Sequence, residues 1–261
     1  MVNDRALAGV LLLALPLACV PAARAAEAEE AMRSDVFVIT PRLWYATYSS
    51  PTEVEAEQAR ESVRVPMAGV SLTYAPKSAP NLAILATAMR GDGEGTLIDQ
   101  FFGVGTTSTE RRDLELLVRY NLLGARLYVL GGWRHVKFTV DDRIGAFVAH
   151  TDVTVSGPEF GFGSTQDLTR DGRHQVFGNF VALYSRYQHD YRDNAGFVEN
   201  HSFRSWGLDL NLGYQFWITP SFNFSARYRM FTFEYKQALG SSGYKDSAIF
   251  YGPEIGLSLA F

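Results

Sequence analysis

The sequence predicts an all-β fold: a transmembrane up-and-down antiparallel β-barrel of about ten strands, with eight or twelve as the neighbouring even counts. Three observations predict it. Apolar and polar residues alternate with a period of two over long stretches. The connections between those stretches alternate long and short. Past the N-terminal region there is neither a helical repeat nor an apolar run long enough to span as a helix. Composition agrees: 13% aromatic residues, 23 Gly and 20% charged residues against 47% hydrophobic suit a chain with a buried core and many turns or kinked strands. A formal net charge of −4 lacks the basic excess of a nucleic-acid binder.

The first element is an export address. Arg5 precedes an apolar stretch from Ala6 to Val20, broken at Pro16, and Ala23-Arg24-Ala25 places small residues where a signal peptidase reads. Residues 1–25 are expected to be a cleaved signal peptide and residues 26–261 the barrel domain. Cys19, the single cysteine, leaves with the signal, so no disulfide, thiol nucleophile or thiol ligand is expected afterwards. Pro16, three residues before Cys19, stands where lipidation needs a large aliphatic side chain.

Ten stretches then read as strands: Asp35 to Tyr48, Val65 to Tyr74, Asn81 to Arg90, Arg112 to Leu122, Ala125 to Phe138, Val153 to Ser164, His174 to Tyr187, Phe203 to Ile218, Phe222 to Tyr235 and Ser247 to Phe261. The clearest alternation is Trp206, Leu208, Leu210, Leu212, Tyr214, Phe216 and Ile218 against Gly207, Asp209, Asn211, Gly213 and Gln215. In a strand these two sets point to opposite faces. Leu114, Leu116, Val118, Tyr120 and Leu122 repeat the pattern, as do Ile255, Leu257, Leu259 and Phe261. Long polar connections are expected at 49–64, 91–111, 139–152, 188–202 and 236–246, and short ones at 75–80, 123–124, 167–173 and 219–221. That asymmetry suits tight periplasmic turns and longer outer loops. Glu53, Glu55, Glu57 and Glu61 make the first long connection a solvated acidic loop.

A barrel in water hides its apolar rows, whereas a barrel in a bilayer displays them and can keep a polar lumen. A soluble lipocalin-like barrel would place Asp209, Arg227 and Glu254 outside. The rows are long enough for the about 9 to 11 residues of a tilted span. They also end in large aromatics suited to interface girdles: Trp44, Tyr48, Tyr120, Trp133, Tyr214, Phe216 and Phe222. The membrane arrangement is therefore expected, with Glu115, Arg119, Glu159, Asp209, Arg227, Arg229 and Glu254 facing a narrow lumen. These charges are expected to form an ion-pair and hydrogen-bond network that fills it; lining a narrow pore is the alternative.

Glu254-Ile255-Gly256-Leu257-Ser258-Leu259-Ala260-Phe261 resembles the terminal β-signal of Gram-negative outer-membrane β-barrel proteins: a polar residue, a glycine two later, then alternating hydrophobics ending in Phe. The resemblance implies an outer-membrane location, insertion by the barrel-assembly machinery with Glu254, Gly256, Leu259 and Phe261 as the recognised positions, and contact with outer-membrane lipid and lipopolysaccharide. It implies no activity. A non-enzymatic envelope barrel with a plugged or narrow lumen is the expectation, a small-solute channel the alternative. A rim-sited hydrolase is the third reading. Asp141-Asp142 and His189-Asp190 are faintly similar to the pairs of the omptin outer-membrane proteases, which are spaced Asp-x-Asp and Asp-x-His. His201-Ser202 suggests a lipid-A deacylase in the same way. Neither spacing matches, and solvated loop charges are the plainer expectation. His135, His150 and His174 lack ligand spacing, so no metal or cofactor is expected.

Overall fold

A computed structural model describes residues 35–51, 60–99, 103–123, 126–239 and 242–261. The expected signal peptide, Cys19 and most of the acidic first connection lie outside the described residues. The described chain is one closed antiparallel barrel of ten strands: β1 (Val36–Pro51), β2 (Arg60–Ala75), β3 (Leu82–Asp99), β4 (Gly103–Asn121), β5 (Leu127–Ile144), β6 (Phe147–Asp167), β7 (His174–Asp193), β8 (Val198–Thr219), β9 (Phe222–Leu239) and β10 (Ser242–Ala260). Each strand pairs with its sequence neighbours, and β1 closes on β10, so no edge is left open.

The outward rows follow the alternation. Leu114, Leu116, Val118 and Tyr120 on β4 are exposed on the outer wall, as are Trp206 and Leu212 on β8 and Ile255, Leu257, Leu259 and Phe261 at the end of β10. Arg134 and Glu159, by contrast, are 2% and 0% exposed. This is the inside-out arrangement of a barrel whose solvent is lipid, and the soluble lipocalin-like alternative is set aside.

The structure corrects two expectations. The long polar connections are mostly strand: β5 continues to Ile144, and β6 begins again at Phe147 after a two-residue turn, where Gly145 adopts φ +59°. Backbone hydrogen bonding continues where the outward row turns polar, as at Thr139, Asp141 and Arg143 beside the inward, buried Val140 and Ile144, so the apolar outer row stops although the ladder persists. The second correction is that Trp44 and Tyr48, expected in a girdle, point inward and are 1% and 5% exposed. On the neighbouring strands Trp44 stands beside Met67 and Glu254, and Tyr48 beside Val63 and Phe250, which one strand read alone does not reveal. Trp133 and Tyr120 do lie on the outer wall.

Candidate functional site

The interior has layers, set by distance from the end that carries the short turns. Nearest that end the lumen is polar: Thr40 and Ser258 hydroxyls meet at 2.9 Å, Ser71 and Thr87 at 2.8 Å, and Gln215 meets Gln175. A small apolar cluster of Leu117, Tyr128, Leu130 and Val181 shares this region.

Above it lies a charge layer centred on Arg134 of β5. Its guanidinium reaches Glu159 of β6 at 2.9 Å and contacts Glu115 of β4 and Asp209 of β8. Asp209 also accepts from Arg229 of β9 at 2.6 Å. Glu254 of β10 accepts from Arg42 of β1 at 2.8 Å and Arg227 at 2.6 Å, with Arg229 at 3.8 Å. Glu115, Glu159, Asp209 and Glu254 are thus matched by Arg42, Arg134, Arg227 and Arg229, four charges of each sign. The match matters, because a buried ion left unpaired costs several kcal/mol, roughly, even after relaxation. The network runs from β4 around through β10 to β1 and ties non-neighbouring strands across the bore.

All seven expected lumen residues face inward, and the structure brings six of them into this network. Arg119 stands apart: its Nε donates to Asn121 Oδ1 at 2.8 Å and its guanidinium lies 3.9 Å from the Tyr128 ring centre. Arg42, Arg134 and the buried Arg111–Asp113 pair (2.6 Å) were missed by sequence reasoning. Parity was the available signal for Arg134, since Trp133 points outward and its neighbour must then point in. Arg111 sits at the edge of a stretch read as a loop.

A third layer closes the outer half of the bore with apolar side chains. Trp44, Val65, Met67, Phe138, Val155, Leu183, Phe231, Phe233 and Phe250 belong to one buried cluster contributed by eight strands. Tyr48 packs on Phe250 with ring centres 4.8 Å apart. Arginines join the two layers: Arg111 lies 3.9 Å from the Phe250 ring centre, Arg134 5.0 Å from Phe231 and Arg229 4.7 Å from Trp44. A guanidinium over a ring is attracted to the π face while its edge stays free for carboxylates. The expectation of a lumen filled by polar and charged side chains is therefore corrected for the outer half of the bore, which apolar side chains fill.

Beyond the plug, the outer mouth gathers His189 of β7 with Glu199 and His201 of β8, all on the inner face. His189 is the direct cross-strand partner of His201, and His201 Nε2 contacts the Glu199 carboxylate. The adjacent pairs suggested by the sequence are split across the wall. Asp142 faces in, while Asp141 faces out and meets His150 Nδ1 at 2.6 Å; His189 faces in and Asp190 out. Ser202 likewise faces out and accepts from Arg186 Nε at 3.0 Å, so it shares no site with His201. Consecutive residues of a regular strand cannot share a face.

On the last strand, Glu254 and Gly256 face the lumen, whereas Leu259 and Phe261 face outward. Phe261 exchanges backbone hydrogen bonds with Phe37.

No protein-family model and no curated protein matches the sequence. Solved structures match its fold. The outer membrane protease OmpT from Escherichia coli is similar at a TM-score of 0.61 and 11% identity, covering 87% of this chain and 97% of that one. The translocator domain of the autotransporter NalP from Neisseria meningitidis is similar at 0.51 and 11% identity, covering 99% and 98%. At such identity the likeness concerns fold alone: this chain is an all-β, ten-stranded antiparallel barrel of the bacterial outer-membrane type.

Proposed function

We propose that this chain is a non-enzymatic outer-membrane barrel with a sealed lumen, exported through a cleaved signal peptide, inserted by the barrel-assembly machinery, and acting at the envelope through its outer surface and rim. The observation that carries the reading is the pair of stacked seals. A charge-balanced layer fills the middle of the bore and an apolar layer lies across it directly outside, so an ion would have to displace aromatic side chains and then break buried ion pairs. This weighs against the small-solute channel. The test is the detergent-folded protein, first checked for heat-modifiable gel migration and then recorded in planar bilayers. A flat current trace is expected. Steady unitary openings that change with Arg227→Ala would overturn the seal.

One observation favours a second reading. Glu199 and His201 are in contact on the inner face of the mouth with His189 opposite, a carboxylate-oriented imidazole that can act as general base. These residues lie beyond the apolar band of the outer wall. Burial pushes the His189 imidazole below its ordinary pKa, as does the neighbouring His201, while Glu199 and Asp190 pull the other way. On this reading, folded protein hydrolyses peptide or ester substrates and His201→Gln lowers turnover roughly 10²-fold or more. No turnover above buffer in the wild type removes it.

A further inference from the structure

The outer wall carries a feature that the sealed bore leaves unused. Across β5 to β8 an outward row at one height reads Trp133, Pro158, Tyr184 and Trp206, with Trp133 paired to Pro158 and Tyr184 to Trp206. Two residues further from the short turns, Arg186 and Arg204 are direct cross-strand partners, both exposed, with Ser156 beside Arg186. Below the arginines, a groove of about 440 Å³ is lined by Pro158, Phe160, Ala182, Tyr184 and Trp206.

Like charges directly opposite on a sheet repel, more strongly at the margin of an apolar band than in bulk water. The barrel contains an internal comparison. Arg90 and Arg112 form another outward cross-strand pair, and there Glu110 neutralises both, at 2.9 Å and 2.7 Å. Arg186 and Arg204 have no such partner. Arg186 donates to Ser202 Oγ, and Arg204 donates to the Tyr184 hydroxyl at 2.6 Å with its guanidinium 5.4 Å from that ring centre. Among the described residues neither makes an ion pair, and the outward Glu234 pairs with neither. Two exposed guanidinium forks side by side, Arg204 over the Tyr184 ring and Arg186 with the Ser202 hydroxyl and Ser156 beside it, match a phosphate.

We propose that the outward faces of β6, β7 and β8 bind one phosphorylated lipid of the surrounding leaflet, its phosphate clamped by Arg186 and Arg204 and an acyl chain lying in the groove below. The proposal rests on the outer-membrane reading above. A free phosphate anion would satisfy the arginines but leave the groove unused, and the contiguity of the two commits the site to a lipid.

The test uses tryptophan fluorescence of the full chain folded in neutral detergent, with heat-modifiable migration as the check on folding. Phosphatidate with brominated acyl chains is compared with the matching brominated diacylglycerol, because Trp206 lines the groove and is quenched by bromine in contact with it. Phosphatidate is expected to quench at about tenfold lower concentration than diacylglycerol, and Arg186→Gln with Arg204→Gln is expected to erase that preference while the barrel still folds. The single variants, each keeping one fork, are expected to fall between and provide the comparison should the double variant not fold. Equal quenching by both lipids, a preference that survives the substitutions, or removal of phosphatidate by excess inorganic phosphate would each overturn the lipid site. A chain that gives no heat-modifiable form and stays monodisperse in plain buffer overturns the membrane reading and the site with it. A well-folded barrel without phosphate preference overturns the site alone.

Discussion

Arg134 is the side chain on which most of the interior charge depends, because three carboxylates from three strands converge on it. Its removal does not merely delete an ion pair. Arg134→Met leaves Glu115 and Glu159 without a described cationic partner and Asp209 with Arg229 alone, where Glu159 and Asp209 are buried and Glu115 is mostly so. A loss of about 3–5 kcal/mol is expected, the cost of breaking a buried pair from one side. It would be read as a lower denaturant midpoint for loss of the heat-modifiable band. Neutralising the two orphaned carboxylates with Glu115→Gln and Glu159→Gln in the same chain should recover part of that loss. A variant as stable as the wild type would mean that the carboxylates are already solvated.

Each strand presents two faces with different solvents, so substitutions on one strand should separate by parity. Leu116 lies mid-row on the outer wall of β4; Leu116→Arg places a cation in hydrocarbon at an expected cost of about 2–4 kcal/mol, measured by unfolding from lipid vesicles. The glycine pair on β5 offers a steric counterpart. A Cβ on Gly132 would lie 2.0 Å from the Leu116 carbonyl oxygen, where nothing can yield except the backbone, whereas one on Gly131 meets only Phe160 at 3.8 Å. Gly132→Val is therefore expected to abolish the folded band and Gly131→Val to leave it in place. Equal behaviour of the two would show that β4 and β5 do not approach as described. These glycines are strand positions, as their sequence context implied, and close approach is what Gly132 provides.

At the scale of the whole barrel, charge layer and apolar layer act as two seals in series. Weakening either one should leave the other closed. Phe138→Ala with Phe233→Ala is expected to destabilise the barrel by several kcal/mol, roughly 3–5 for each buried aromatic, and still give a flat bilayer trace. The same pair combined with Arg227→Ala is the variant expected to conduct. Openings in the phenylalanine variant alone would assign the whole barrier to the apolar layer.

The sequence by itself determined an up-and-down barrel of about ten strands, with eight or twelve left open, and its clearest outward rows. Leu114 to Leu122 and Trp206 to Ile218 alternate with a period of two, and that period needs only neighbouring residues to be read. It also placed Glu115, Arg119, Glu159, Asp209, Arg227, Arg229 and Glu254 on the inner face, since each lies out of phase with an apolar row, and passed over Arg42, Arg111, Asp113 and Arg134. It did not reveal how far the strands run: beyond Phe138 and before Val153 the outward row turns polar at Thr139, Asp141, His150 and Asp152 and the stretch reads as a polar connection, although backbone pairing continues to Ile144 and from Phe147. Tertiary structure alone decided that Trp44, Tyr48 and Phe250 lie inside, that Arg134 meets three carboxylates, and that His201 sits with Glu199 and His189 rather than with Ser202. Closure of the barrel sets strands from distant parts of the chain at one height, and alternation along a single strand states which way a side chain points without stating what stands across the bore from it.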